Sequence, residues 1–97
     1  MAQVIYTSEA LDDIERVFAF LAGRDPYSAN AAVSAIRNAI SILSEHPLIG
    51  RTMEGQLREL VISFGNTGYL ALYRFRPELD EVRVLALRHQ RELDYPV

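Results

Sequence analysis

The 97-residue chain contains no cysteine, and this absence excludes two kinds of site. Without cysteine there is neither a disulfide framework nor a thiolate metal site. The two histidines, His46 and His89, lie far apart in the chain and give no cluster with metal-ligand spacing. A G-x-G-x-x-G phosphate loop is also lacking, because Gly65 and Gly68 fit a hairpin turn instead. We therefore expect no bound metal and no cofactor.

Lysine is absent too, so all ten basic residues are arginines. The simpler interpretation is an arginine-biased codon usage. The functional interpretation is that planar guanidinium groups suit the recognition of phosphates or carboxylates. Arginine titrates too high to move protons, so these side chains can only stabilise charge. The formal net charge of −3 argues against strong direct binding of DNA by the chain alone.

No long apolar run is present either. The longest helical one, residues 17–22, is far too short to cross a membrane. The first residues, MAQVIYTSEA, show no basic region followed by an apolar core, so we expect no signal peptide. The hydrophobic fraction of 49% and the charged fraction of 24% are those of an ordinary globular domain. We expect one domain over residues 1–97, located in the cytoplasm and without membrane association.

Three short strands are predicted in the second half of the chain. Residues 58–64, 68–76 and 81–89 are rich in β-branched and aromatic side chains, as strands prefer. Turn-forming residues separate them at positions 65–68 and 77–80. Connections this short cannot make parallel crossovers, so the pattern predicts an antiparallel meander.

The first half predicts a short strand followed by two helices. Residues 3–6 (QVIY) form the strand. Apolar residues at three- and four-residue spacing then predict a helix that ends at Gly23. Asp25, followed by a proline, is a favourable start for a second helix, which we expect to run to about Glu45. Residues 52–56 are predicted to be a polar loop into the sheet.

Together these elements predict an α+β fold in the order β-α-α-β-β-β. Two helices with so short a link form an antiparallel αα-hairpin. The apolar stripe of this hairpin must be buried, and we expect it to cover one face of the antiparallel sheet. The first strand has no hairpin partner beside it, so we expect it to pair with a later strand.

The strand pattern leaves two questions open. Tyr69 and Tyr73 alternate with Leu70 and Leu72, so one pair packs under the helices. The other pair is then either an exposed partner surface or the core of a strand buried on both sides. A hairpin that turns about residue 79 also sets Arg74 opposite an arginine, Arg83, and Leu72 opposite Leu85. Like charges in this position need an anion between them. It is a phosphate, a carboxylate of a partner protein or, most simply, an acid of the chain: Glu59, Glu78 or Glu81.

Several stretches of the chain occur in a recognisable order. The helix ALDDIERVFAFLA is followed by SILSEHPLIGR, LRELVI, GYLALYRF and VRVLALRHQRELDYP. Together they resemble the ParE/RelE superfamily of bacterial toxins from type II toxin–antitoxin (plasmid-stabilisation) systems, and within it the ParE-like side. The resemblance implies a small toxin that a cognate antitoxin neutralises. ParE-like members inhibit DNA gyrase, and RelE-like members cut mRNA on the ribosome.

Within this resemblance, we expect gyrase inhibition and no catalytic residue. RelE-type nucleases use lysines together with arginines, and this chain has no lysine. The alternatives are a metal-independent, ribosome-dependent endoribonuclease and a family member without toxicity. If the chain is a nuclease, its proton carriers are His89 and Tyr95. Its phosphate ligands are then Arg58, Arg74 or Arg91. For His89, a structural hydrogen bond at the sheet end is the simpler interpretation.

Overall fold

The computed structural model describes residues 1–92 and Tyr95, which fold as two helices on one face of a five-stranded sheet. In chain order the elements are β1 (Gln3–Tyr6), α1 (Ser8–Ala22), α2 (Pro26–Ser41), β2 (Arg51–Thr52), β3 (Leu57–Phe64), β4 (Thr67–Arg76) and β5 (Glu81–His89). Short 3₁₀ turns follow α2 and β4, at Ile42–Ser44 and Pro77–Leu79. The predicted α+β fold is confirmed.

The strands are ordered β1-β5-β4-β3-β2 across the sheet. The last four strands in the sequence pair antiparallel, as the short turns predict. β1 joins an edge of the sheet and runs parallel to β5, so the sheet is mixed rather than wholly antiparallel. Parallel pairing is possible here because the whole helical hairpin and the meander lie between the two strands. The short edge strand β2 lies partly in the segment predicted to be a loop.

Both helices begin at a polar side chain that accepts a hydrogen bond from the first turn. Thr7 Oγ1 accepts from the N–H of Ala10 at 3.1 Å and caps α1. Asp25 Oδ1 accepts from the N–H of Tyr27 at 3.1 Å and caps α2. Gly23 ends α1 as predicted. α2 ends earlier than predicted, because a 3₁₀ turn takes over its last residues.

The helices cover the sheet face that carries Tyr69, Ala71 and Tyr73, which are 4%, 0% and 0% exposed. Their partners on the helices are chiefly Ile14, Val17, Ile36 and Ile40. Burying one such aliphatic side chain contributes about 1.5–3 kcal/mol. The tyrosine set of β4 is therefore the one under the helices. Leu70, on the opposite face, is also buried, so that face is partly covered as well.

Gly50 allows a close approach between the loop before β2 and strand β4. A Cβ atom at Gly50 would lie 2.6 Å from the hydroxyl oxygen of Tyr73. This hydroxyl accepts from the N–H of Gly50 at 2.8 Å and donates to the carbonyl of Pro47 at 2.8 Å. The HPLIGR stretch therefore has a structural role, because it fastens the loop to a buried tyrosine.

A bulge in β5 changes part of the predicted register. Arg74 lies opposite Arg83 as expected, but Leu72 pairs with Ala86. Since Tyr73 pairs with Val84, residue 85 is an extra residue without a partner on β4. Such bulges interrupt the ladder of backbone hydrogen bonds and leave backbone groups that need other partners.

α1 and its N-cap provide partners for backbone groups at the bulge. Thr7 Oγ1 donates to the carbonyl of Leu85 at 3.2 Å, and its N–H donates to the carbonyl of Val84 at 3.0 Å. Asp13 Oδ2 accepts from the N–H of Leu87 at 2.9 Å, and Asp13 is only 8% exposed. The acidic start of α1 therefore fixes the helix to the sheet through a specific hydrogen bond.

Replacing Asp13 by alanine is expected to lower the free energy of unfolding by about 1–3 kcal/mol, because the buried N–H of Leu87 loses its acceptor. Urea-induced unfolding measures the loss. Asp12→Ala is the matched control, since Asp12 is exposed on the same helical turn and should change stability by less than about 0.5 kcal/mol. Equal losses of stability in the two variants would show that water replaces the Asp13 carboxylate as the acceptor for the N–H of Leu87.

Candidate functional site

A buried acid, Glu59, lies on the sheet face that points away from the helices. Alternation along β3 places Arg58 on the helix side and Glu59 on this outer face. Glu59 pairs across the strands with Arg51 of β2 and with Leu72 of β4. It is only 1% exposed, although no helix covers it. A carboxylate buried this deeply needs charged or hydrogen-bonding partners.

Three side chains supply those partners. The guanidinium of Arg51 donates to Glu59 Oε1 through Nε, at 2.8 Å, and through Nη2. The hydroxyl of Tyr95 donates to Oε2. Arg88 Nη2 lies 3.8 Å from the same oxygen, and its guanidinium stacks over the Tyr95 ring at 5.1 Å. We call Glu59, Arg51, Arg88 and Tyr95 the outer-face cluster.

Charges within the outer-face cluster fix the protonation states of its members. Burial is the largest single influence on the pKa of Glu59 and raises it. The hydrogen bonds from Tyr95 and Arg51, with the charges of Arg51 and Arg88, outweigh burial and lower this pKa overall. Burial and then the Glu59 carboxylate raise the pKa of Tyr95 strongly. At neutral pH Glu59 is ionised and Tyr95 is protonated, so neither group is poised for proton transfer.

A cavity of about 850 Å³ lies on the helix side of the sheet, between the second half of α1, the start of β4 and the end of β5. Val17, Leu21 and Tyr69 form much of its apolar wall, and His89 lies at its edge. The other lining residues include three arginines, Arg16, Arg24 and Arg91. We call this site the α1 cavity.

His89 is held by hydrogen bonds at both ring nitrogens. Nδ1 accepts from the backbone N–H of Arg91 at 3.1 Å, and Nε2 pairs with Thr67 Oγ1. Because Nδ1 is an acceptor, the neutral ring carries its proton on Nε2 and donates it to Thr67. The ring also meets Tyr69 edge to face, with the ring centroids 5.3 Å apart. These contacts fix the ring at the end of the sheet.

The five residues considered for a nuclease do not meet in one place. His89 and Arg91 border the α1 cavity. Arg58 lies on the helix side and donates to two backbone carbonyls of the loop before β2. Tyr95 belongs to the outer-face cluster, and alternation along β4 places Arg74 on that same outer face.

The strand register shows how far apart Arg58 and His89 lie along the sheet. Arg58 pairs with Tyr73 of β4, and His89 pairs with Tyr69 of the same strand. Four residues of extended chain separate those two positions, which corresponds to about 13 Å. Arg58 is also engaged with the loop before β2, whereas His89 bonds Thr67 and the backbone of Arg91.

The facing arginines of β4 and β5 are partly relieved by acids of the chain. Arg83 Nη2 lies 3.0 Å from Glu81 Oε1. Glu78 instead pairs with Arg76, whose Nε lies 3.0 Å from its Oε1 and which stands opposite Glu81 rather than an arginine. Of the three acids considered from the sequence, Glu59 pairs elsewhere, within the outer-face cluster. Among the described residues, Arg74 forms no ion pair, and it is exposed.

The outer-face cluster itself was not predicted. From the sequence, Glu59 is a possible partner for the facing arginines, and neither Arg51 nor Arg88 stands out as a member of a site. One usable signal is that Glu59 shares its strand face with Leu57 and Val61 in LRELVI, because apolar residues at two-residue spacing favour a covered face. The pairing of Arg51 with Glu59 depends on β2, a strand of two residues that has no pattern of its own.

Two further absences concern the described residues 1–92 and 95 only. Within them, no three metal-binding side chains of the kind His, Asp or Glu are grouped so that they could hold an ion. No helix in this part of the chain is long and apolar enough to cross a membrane.

Comparison with known proteins identifies the class to which this fold and these stretches belong. The family model described as the ParE toxin of the type II toxin–antitoxin system parDE matches residues 4–94. A curated relative named Toxin RelE3, from Caulobacter vibrioides, is 33% identical over 92 residues and covers 95% of this chain and 98% of its own. The chain therefore belongs to the ParE toxin family of type II toxin–antitoxin systems, within the ParE/RelE superfamily.

Two solved structures share the fold. A chain of the chromosomal ParDE toxin–antitoxin system from P. aeruginosa superposes with a TM-score of 0.76 at 20% identity, covering 92% of this chain and 96% of that one. A chain of the intact E. coli RelBE toxin–antitoxin complex superposes with a TM-score of 0.70 at 12% identity, covering 95% and 100%. The resemblance stated from the sequence is confirmed, while the similarity to both branches leaves the molecular target open.

Proposed function

We propose that the chain is a toxin that inhibits DNA gyrase by binding to it, and that it catalyses no reaction itself. The observation that carries the proposal is the dispersal of the candidate acid–base and phosphate-binding residues over two faces of the sheet. A metal-independent nuclease needs an acid, a base and a cation within reach of one phosphodiester. An inhibitor needs only a complementary surface, and nothing in the arrangement of these residues conflicts with that.

The acid–base properties of the individual groups support the same proposal. Tyr95 holds its proton tightly beside Glu59, so it is a poor proton donor at neutral pH. The Nδ1 atom of His89 already accepts a hydrogen bond from the backbone, so it is not free to remove a proton from a substrate. The chain also lacks the lysines that RelE-type nucleases use together with arginines.

A ribosome-dependent endoribonuclease is the second candidate. It is favoured by the name RelE of the curated relative and by one pair of residues, since His89 and Arg91 border the same cavity. A toxin that has lost its activity is the third. The two active candidates have targets in the bacterial cytoplasm, where we propose that the chain acts.

We also propose that a cognate antitoxin neutralises the chain. The two structural relatives come from systems described as ParDE and RelBE toxin–antitoxin pairs, which supports a partner of this kind. Apolar side chains on α1 provide surface for it, since Leu11 is 45% and Phe20 63% exposed. Co-expression with the product of a neighbouring small reading frame should give a stable complex and restore growth.

The target is tested with purified protein in two parallel assays, gyrase supercoiling and mRNA cleavage on translating ribosomes. We expect inhibition of supercoiling at stoichiometric protein and no cut in the message. The gyrase assay should be repeated with topoisomerase I relaxation as a control, because a protein that only coats DNA blocks both reactions. Cleavage of the message without inhibition of gyrase would refute the proposal.

A further inference from the structure

We propose that three arginines at one end of the outer sheet face form the contact surface for an acidic segment of DNA gyrase. They are Arg74 and Arg76 of β4 and Arg83 of β5, and we call them the arginine patch. Alternation along the strands places all three on the face that points away from the helices, beside the turn at Pro77–Leu79. The inference rests on the proposed function in one respect, that the target is gyrase.

The strand register brings like charges together in the arginine patch. Arg74 lies directly opposite Arg83, and Arg76 follows two positions along β4 on the same face. Side chains in opposite positions have Cβ atoms about 4.5–5.5 Å apart, and like charges at this spacing destabilise a sheet. Natural proteins retain such costs at functional sites. The pair therefore points to a partner that supplies the opposite charge.

Acids of the chain neutralise only part of the arginine patch. Glu81 pairs with Arg83 and Glu78 pairs with Arg76, each at 3.0 Å. Arg74 is exposed, and within residues 1–92 and 95 it forms no ion pair. A backbone hydrogen bond and the contacts with Arg76 lower the pKa of Glu78 more than the charge of Arg74 does. Arg74 is thus the member of the patch that is most available to an external carboxylate.

The net charge of the chain also favours an acidic partner at the arginine patch. The patch sets three arginines against two glutamates, whereas the whole chain has a formal net charge of −3. An acidic segment is therefore repelled by most of the protein and attracted to this end of the sheet. Guanidinium groups suit it, because their planar donors bind carboxylates in a bidentate way.

The outer face is better suited to protein carboxylates than to a nucleic acid. Proteins that bind single strands combine a positively charged groove with aromatic side chains on which bases stack. In the described sheet, no strand places an aromatic side chain on this face, and Arg88 covers the ring of Tyr95 at 5.1 Å. Glutamates also lie among the arginines, so the surface is mixed in charge, which a phosphate backbone disfavours.

Aliphatic side chains flank the arginine patch in the same row of the sheet. Leu57 lies opposite Arg74 on one side, and Ile5 lies opposite Arg83 on the other. Both are only half-buried, because no helix covers this face. A partner that covers the row would exclude water from the two guanidinium groups, and arginines in such desolvated positions contribute strongly to binding.

The first test compares charge-reversal variants in the gyrase supercoiling assay. Arg74→Glu is expected to raise the concentration of protein needed for half-inhibition at least about tenfold, because it replaces attraction by repulsion. Arg37→Glu is the matched control, since Arg37 is an exposed arginine of α2 that stacks over Tyr6 at 5.0 Å on the helix side. Equal losses of inhibition in the two variants would reflect net charge alone and would refute the patch.

A neutral variant separates binding from folding. Arg74→Gln removes the like-charge pair, so its midpoint of thermal unfolding is expected to equal or exceed that of the wild type. Its binding to purified gyrase subunits, measured without DNA, should nevertheless weaken about tenfold. A lower midpoint with unchanged binding would show that Arg74 serves the fold and would overturn the inference.

The wild type distinguishes failure of the patch from failure of the proposed function. Inhibition by the wild type and equally by Arg74→Glu would refute the patch alone, whereas no inhibition by the wild type would refute the function. A labelled single-stranded RNA oligonucleotide is the competing probe. If the wild type binds it, and Arg74→Glu abolishes that binding but keeps the binding of gyrase, the patch is a nucleic-acid site and the inference is wrong.

Discussion

Replacement of Glu59 by alanine is expected to lower the free energy of unfolding by about 3–5 kcal/mol, because it leaves buried cationic and hydroxyl groups without their anion. The loss arises mainly at Arg88, whose side chain is 15% exposed, and at the hydroxyl of Tyr95. Arg51 contributes little, since its side chain is 59% exposed and water can replace the carboxylate there. Such a loss is a large fraction of the stability of a domain of this size.

Two controls separate the buried part of the outer-face cluster from its exposed part. Arg51→Ala removes only the exposed partner and should lower the free energy of unfolding by about 1 kcal/mol or less. Glu59→Gln keeps the size of the side chain and a carbonyl acceptor, so its effect should lie between the other two. All three are measured by urea unfolding. If Glu59→Ala and Arg51→Ala lowered the free energy of unfolding equally, water would have to hydrate Arg88 in the Glu59→Ala variant.

The same variants predict how stability depends on pH. The pKa of Glu59 is lower in the folded chain than its ordinary value of about 4.3. The stability that this carboxylate contributes is therefore complete above that value, and it is lost as the pH falls through the lowered pKa of the folded state. The wild type should lose stability more steeply than Glu59→Gln below about pH 4.3. Parallel curves for the two proteins would exclude this role of Glu59.

Local sequence signals explain why most of the fold was predictable. Turn residues separate the strands of the meander, and a capping aspartate with a proline begins α2. The pairing of Arg74 with Arg83 also followed from the turn alone, because a hairpin fixes its register over the first few residues. These features depend on residues close together in the chain, and such patterns can be read without knowing the tertiary structure.

The features that were missed depend on residues far apart in the chain. The bulge in β5 breaks the hairpin register beyond Tyr73, and the groups that satisfy it, Thr7 and Asp13, come from the start of the chain. The parallel pairing of β1 likewise depends on where the helices return the chain to the sheet. Glu59 is buried by side chains from β2, β5 and position 95 together. No local sequence pattern predicts these long-range contacts.

The same difference between local and long-range features applies to the candidate functional residues. Their types were chosen from the sequence because histidine, tyrosine and arginine suit phosphodiester chemistry. Whether they converge depends on strand faces and on the register. His89 and Arg91 share the α1 cavity, whereas Arg58 lies on the helix side of β3, opposite Tyr73 of β4. Suitable residue types in the sequence therefore predict a site only if the fold also brings their side chains together.

His89→Ala is expected to retain most of the inhibition of gyrase supercoiling, while the same substitution would reduce a nuclease by about 10²- to 10⁴-fold. His89 is the described histidine at the α1 cavity, and histidine is the side chain that most often serves as a general acid or base. A binding surface depends on a few central contacts, so one histidine outside them changes affinity only modestly. The wild type and the variant are compared in the supercoiling and message-cleavage assays at equal concentrations of folded protein.

The control must account for the structural role of this ring, because His89 bonds both Thr67 and the backbone of Arg91. His89→Gln keeps a polar side chain that can reach one of these partners but cannot act as an acid or base near neutral pH. Thermal unfolding of both variants identifies any loss that comes from folding alone. Cleavage of message at discrete codons by the wild type, abolished in both variants while they stay folded, would establish the nuclease. Inhibition of gyrase by all three proteins, with the message intact, is the result we expect, because the inhibitory surface requires no proton transfer at His89.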